Sequence, residues 1–243
     1  MPDKNTKQRL AVIKLGSTFN GLKAEKGDFD DWIVRGLKLK LDRVCIVDIT
    51  ANHPLPDLDR INGVVMSGAH PNLTDNPPRA EDVATWLPPL VQRNIPILGI
   101  CFGHQLLAKA LGGKVGNNPA GREFGTVDIR LNDFGRRDPL LGAMPNPFKA
   151  HVCHQQTVLE LPASAKRLAF SGMDPNQAFV VGASAWGLQF HPEFDQDTTE
   201  TYIRECHDQL AAEGQSPDDL LNTCCQTPYA SSLLQRFAWI CSQ

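Results

Sequence analysis

Short apolar runs at residues 10–15, 44–48, 63–66 and 95–100 alternate with longer amphipathic stretches, and this alternation leaves the chain few ways to fold. Runs this short, β-branched and bounded by turn residues have the pattern of strands buried on both faces of a parallel sheet. Between them, residues 30–39 carry Trp32, Ile33, Leu37 and Leu39 on roughly one side, and residues 79–87 carry Ala80, Val83, Ala84 and Leu87 at spacings of three and four. Both are expected helices, and Pro88-Pro89 is expected to break or restart the second. Such alternation closes a core as βαβ units with right-handed crossovers, and ligands then bind at the carboxyl ends of the strands.

After residue 113 the pattern changes. Strand-like runs at 124–131, 150–153, 167–170, 178–181 and 186–190 follow one another closely, which predicts antiparallel strands and hairpins. Residues 197–213 read as a helix capped by Thr198 or Asp197, and 214–243 as further short helices. The expected fold class is α/β: an open, mostly parallel sheet with helices on both faces and antiparallel strands added in the second half. No linker-like stretch or repeat divides the chain, so residues 1–243 are expected to form a single domain, with 205–243 as a C-terminal helical extension.

With 24 Lys+Arg against 27 Asp+Glu, the net charge of -3 provides no basic field to hold nucleic acid or an anionic membrane. The polar N-terminus and the lack of any run of about 20 apolar residues point away from a signal peptide or a membrane span, and toward a cytoplasmic protein. Seven scattered cysteines, an odd number without a Cys-x-x-Cys pair, fit reduced thiols and no structural metal.

The sharpest local feature lies at residues 97–113. An apolar strand runs into Gly99-Ile-Cys101-Phe-Gly103, and a helix follows with Leu106, Leu107, Ala110 and Leu111 on its buried side and Gly112 as its stop. This is a nucleophile elbow with sulfur in place of oxygen: the glycines leave room for a strained turn, and the helix N-terminus favours thiolate and offers N–H groups to an oxyanion. A thiol also needs a base, and the base needs an orienting group. His191 and Glu193, two residues apart in Phe190-His-Pro-Glu193, fit those two roles. Each element alone has a plain structural reading, a buried cysteine at a tight turn or a surface His-Pro-Glu turn. Together they are far less expected by chance.

These two motifs, 96–105 and 187–193, resemble those of the class I, Cys-His-Glu glutamine amidotransferases, most strongly the glutaminase part of GMP synthetases and its stand-alone relatives. The resemblance covers roughly residues 43–204. It implies a flavodoxin-like open α/β sheet, no cofactor, and hydrolysis of the γ-carboxamide of glutamine through a Cys101 γ-glutamyl thioester to glutamate and ammonia. It also implies roles for other positions. Gly68 and Ala69, in Ser67-Gly-Ala69, resemble the family's oxyanion loop, with Phe102 supplying the second N–H and Ala69 replacing a glycine. Gln105 matches a substrate-pocket glutamine. The segment 153–158 resembles the family's Ser-His-x-Asp segment, which makes His154 and Gln156 substrate-binding positions. Gln156 stands where Asp is usual, and a neutral amide lacks a carboxylate's attraction for a substrate ammonium, which leans toward a γ-glutamyl compound other than free glutamine.

No ATP-binding loop of the Gly-x4-Gly-Lys-Ser/Thr type occurs in the chain. Three readings follow: a glutaminase that passes ammonia to a separate synthase subunit, a stand-alone γ-glutamyl peptidase or hydrolase, or a non-catalytic regulatory module of the same fold. Among the remaining candidates, His104 reads as a packing or capping residue, and His70 and His151 as pocket or structural histidines. The segment 121–125 reads as a turn into the next strand, and 136–138 as a solvated loop.

Overall fold

The computed structural model describes residues 9–243. The polar start of the chain, which points away from a signal peptide, falls in residues 1–8, outside the described residues.

In chain order the first half comprises β1 (Arg9–Lys14), α1 (Asn20–Lys26), α2 (Phe29–Leu37), β2 (Val44–Asp48), β3 (Ile61–Met66), α3 (Ala80–Gln92), β4 (Ile97–Ile100) and α4 (Phe102–Ala110). Then come β5 (Lys114–Asn117), β6 (Glu123–Leu131), β7 (Phe148–His154), β8 (Gln156–Glu160), β9 (Ala165–Phe170), β10 (Ala178–Val181) and β11 (Ala185–Leu188). The chain finishes with α5 (Gln196–Glu205), α6 (His207–Ala212), α7 (Pro217–Thr223) and α8 (Pro228–Ile240).

One nine-stranded sheet runs β2-β1-β3-β4-β11-β10-β9-β6-β7. Pairing is parallel from β2 through β11 and antiparallel beyond it, so the strands after residue 113 pair antiparallel as expected except β11, which is antiparallel to β10 but returns to lie parallel to β4. A small sheet of β5 and β8 lies apart. Alternation along β1 builds the two faces: Leu10 and Val12 join Ile33 and Leu37 of α2 and Leu233, Leu234 and Phe237 of α8. Ala11 and Ile13 join Val83 and Leu87 of α3 and Leu106 and Leu107 of α4 on the other. The α/β fold with helices on both faces agrees with the sequence pattern.

Four expectations need correction. Helix α3 runs through Pro88-Pro89 without a break. Leu87 and Leu90 flank the prolines and are fully buried, and this packing outweighs the lost backbone hydrogen bonds. The helix expected over 197–213 is two, joined at Cys206, and its cap is Asp195, whose side chain accepts from Thr198 N, rather than Thr198 or Asp197. Asp138 is not in a solvated loop: it is buried and takes the Nε1–H of buried Trp186 at 3.0 Å. Glu123 is not a simple turn residue but the buried first residue of β6. Among the described residues no helix is long and apolar enough to cross a membrane.

Candidate active site

Between β4 and α4 a single residue, Cys101, makes the turn, and its backbone sits at φ 49° and ψ −100°. A non-glycine residue pays a steric cost there, and the surroundings hold it in place. Its N–H donates to Leu188 O at 2.8 Å and its carbonyl accepts from Gln105 N at 3.0 Å. The flanking glycines are required by contact: a Cβ on Gly99 would strike the Gly103 carbonyl, and one on Gly103 would come within 2.8 Å of the Met66 carbonyl oxygen.

Leu188 of β11 pairs in parallel register with Ile100 of β4, so the chain leaving β11 reaches the same end of the sheet as Cys101. That path brings His191 in, where its N–H donates to His151 O at 2.8 Å. His191 Nδ1 meets Glu193 Oε1 at 2.8 Å, which leaves Nε2 free to face the Cys101 sulfur, whose own contact is with Cys153 O at 3.9 Å. Burial works against the imidazolium, but the Glu193 carboxylate and the Cys101 sulfur outweigh it and push His191 up to about 10. Phe194 stacks on the ring with centroids 4.1 Å apart, and Phe29 lies nearly parallel to it at 6.4 Å.

Phe29 is placed by the start of α2. Asp28 caps that helix, accepting from Phe29 N and Thr18 N at 2.9 Å, while Lys14 Nζ, at the end of β1, lies 2.8 Å from its other oxygen. Burial would raise the Asp28 carboxyl, yet Lys14 and the backbone N–H groups hold it well below the usual range.

Beyond β3, Gly103 N donates to Ser67 O at 3.2 Å, which ties the loop to the first turn of α4. Gly68 abuts the histidine, since a Cβ there would lie 3.1 Å from His191 Cε1. Ala69 keeps out of the left-handed region. Its methyl is accommodated by Gly16, where a Cβ would come within 2.7 Å of Ala69 Cβ.

Opposite, Gln105 Nε2 donates to Gln156 O at 2.8 Å and to Gln189 Oε1 at 3.2 Å. His154 Nδ1 faces Gln156 O and its Nε2 faces Glu123 Oε2, each at 3.0 Å. Glu123 also accepts from Ser171 and Gln177 at 2.6 Å. The Gln156 amide is committed elsewhere, donating to Thr74 Oγ1 at 2.6 Å and to Asn117 Oδ1 at 3.2 Å.

Cys101, Phe102, Ala69, Gln105, His154, Gln156 and His191 thus line one cavity of about 370 Å³, with Glu193 and Gly68 against His191. His104 and His151 do not line it. His104 is buried against Phe179 and Gly187, and burial pushes it down to about 3. Burial, aided by His191, pushes His151 down to about 4. His70 reaches the rim. Sequence reading missed Phe29, Tyr202, Arg122 and Cys206, which also line the cavity. They arrive from α2, α5, the segment before β6 and the α5–α6 junction, none of which carries a local chemical motif. Asp28 followed by Asp31 was a legible capping signal that would have placed Phe29 at a helix start.

The model of the family "Glutamine amidotransferase class-I" matches residues 28–208. Among relatives, a GMP synthase from Aeropyrum pernix is 39% identical over 136 residues, 56% of this chain and 25% of its own length. A glutamine-hydrolysing GMP synthase subunit from Sulfolobus acidocaldarius is 33% identical over 190 residues, covering 76% of this chain and 89% of the relative. Gamma-glutamyl peptidase 4 from Arabidopsis thaliana is 33% identical over 149 residues, 58% of this chain and 57% of its own length. Of the first curated relatives it matches, the chain therefore spans 25%, 45% and 57% of their lengths. A glutamine amidotransferase structure from Thermotoga maritima, 24% identical, shares the fold with a TM-score of 0.76 over 97% of this chain and 99% of its own. The chain belongs to the class I glutamine amidotransferase family.

Proposed function

We propose that the chain hydrolyses the side-chain amide of glutamine, or of another γ-glutamyl amide, with Cys101, His191 and Glu193 as its catalytic residues. The Cys101 sulfur, its proton passed to His191, attacks the γ-carbonyl carbon, and the carbonyl oxygen becomes an oxyanion facing the N–H groups of Ala69 and Phe102. Collapse of that adduct breaks the C–N bond as His191 gives its proton to the departing ammonia or amine. The γ-glutamyl thioester remains. Water, losing a proton to His191, attacks the thioester; glutamate leaves and the thiol is restored. Glu193 fixes the tautomer and orientation of His191 throughout. The scheme needs neither metal nor organic cofactor.

The observation that carries this reading is the buried His191–Glu193 hydrogen bond beside a cysteine held in a strained strand-to-helix turn. In the glutaminase form, the ammonia passes to a separate synthase subunit, which the Sulfolobus relative, itself named as one subunit of a GMP synthase, supports. A second form, a stand-alone γ-glutamyl peptidase, is favoured by Gln156: its amide is tied to Thr74 and Asn117 and brings no negative charge to a substrate ammonium. Free thiols at all seven cysteines support a cytoplasmic location. The test is glutamate release from glutamine and from γ-glutamyl peptides by the wild type and Cys101→Ala. Release that requires Cys101 supports the scheme; equal release by the variant refutes it.

A further inference from the structure

The leaving amine of this reaction must stand next to His191, because that ring hands it a proton. What surrounds the His191 side of the cavity therefore selects the leaving group. That side is aromatic. Phe29 lies parallel to the His191 ring, and His70 meets Phe29 edge-on with centroids 6.3 Å apart. Phe19 packs on His70 at 4.5 Å and on Tyr202 at 4.9 Å. All four line the cavity that holds Cys101.

The Tyr202 hydroxyl and His70 Nε2 within this wall are engaged with each other. Tyr202 OH lies 2.8 Å from Thr18 Oγ1 and 3.1 Å from His70 Nε2; with Phe29 and Tyr202 buried behind them, Phe19 and His70 are what the wall presents to a ligand, and most of that is ring surface. It is also preorganised. Its members come from the segment after β1, the start of α2, the loop after β3, and α5, and the Tyr202 contacts and the Asp28 cap hold them together. Ammonia has no apolar surface to place against such a wall. A cavity of about 370 Å³ falls within the roughly 300–1,000 Å³ of pockets that take drug-sized ligands.

The geometry points to a leaving-group subsite, presented by Phe19 and His70 and backed by the buried rings of Phe29 and Tyr202, that takes an amine bearing an aromatic or other bulky apolar group. The substrate class is then a γ-glutamyl conjugate of a hydrophobic amine or amino acid. This inference rests on the hydrolytic reading above and narrows it.

The test compares kcat/KM for glutamate release from glutamine, γ-glutamyl-glycine and γ-glutamyl-phenylalanine. The expected result is a preference of about tenfold or more for γ-glutamyl-phenylalanine over both others. In Phe19→Ala the ratio of γ-glutamyl-phenylalanine to γ-glutamyl-glycine falls toward one, and His70→Ala, at the exposed rim, lowers the same ratio. Using a ratio within each variant removes any general loss of folded protein. The ranking is also read without turnover, from the concentration of each compound that half-protects Cys101 against iodoacetamide. Equal values for the two dipeptides, or better use of or protection by glutamine, overturn the subsite while Cys101-dependent release leaves the hydrolytic reading intact. Release that persists in Cys101→Ala overturns that reading and this inference together.

Discussion

His191 Nδ1 lies 2.8 Å from Glu193 Oε1, and both side chains are sealed from solvent. A buried carboxylate so placed makes the histidine a stronger base and fixes which nitrogen faces the sulfur. Glu193→Gln keeps the shape but removes the charge. It should lower kcat by about 10²- to 10⁴-fold and bring the His191 titration down from about 10 toward its ordinary 6.5, read by histidine NMR. In the wild type, the stability that His191 contributes is complete below about pH 6.5 and is lost as pH rises through about 10, a dependence that Glu193→Gln should weaken in thermal unfolding.

Strain at Cys101 predicts an unusual ranking of two inactive variants. With φ at 49° and ψ at −100°, the site suits glycine better than any residue with a Cβ. Cys101→Gly should be more stable than Cys101→Ala by about 1 kcal/mol or more in urea unfolding. The reverse order would mean that the turn relaxes when the thiol is removed.

Ala69 and Gly16 should behave as a coupled pair. Gly16→Ala brings two methyl groups within 2.7 Å and should destabilise the protein, and Ala69→Gly should relieve much of that loss. A double-mutant cycle is expected to give a coupling of about 1–3 kcal/mol, against additivity if the loop has room to move.

The Lys14–Asp28 pair links sheet, helix cap and candidate active site. Both side chains are nearly inaccessible, and Asp28→Asn removes the shortest of three carboxylate contacts to Lys14, leaving Asp30 at 3.2 Å and Asp48 at 3.7 Å, so it should cost about 1–3 kcal/mol at neutral pH. Because the Asp28 carboxyl is held below its ordinary 3.8, its contribution is complete above that pH and disappears as pH falls through the native value. The gap in stability between wild type and variant should therefore narrow on acidification.

What could be read from the sequence was whatever is encoded over short spacing. The runs that became β1 to β4, the Gly99-x-Cys101-x-Gly103 turn, and His191 with Glu193 all carry their signal within a few residues. Prolines 88 and 89 misled because a local breaker signal lost to the burial of Leu87 and Leu90, which depends on the opposite sheet face. Asp138 looked solvated because its partner Trp186 lies 48 residues away. The aromatic wall was invisible for the same reason: Thr18 and Tyr202 touch across 184 residues, and neither belongs to a local pattern. Gln156 was identified at its position, but the partners that claim its amide, Thr74 and Asn117, could be seen only in the fold.

The central claim is that Cys101 carries the γ-glutamyl group during turnover. Acid quenching during hydrolysis of glutamine or γ-glutamyl-phenylalanine, followed by peptide mass spectrometry, tests it directly. The expected result is a γ-glutamyl adduct on the peptide containing Cys101, absent in Cys101→Ala, in which glutamate release is also lost. Continued glutamate release by Cys101→Ala, with no adduct on the wild-type peptide, would contradict the account.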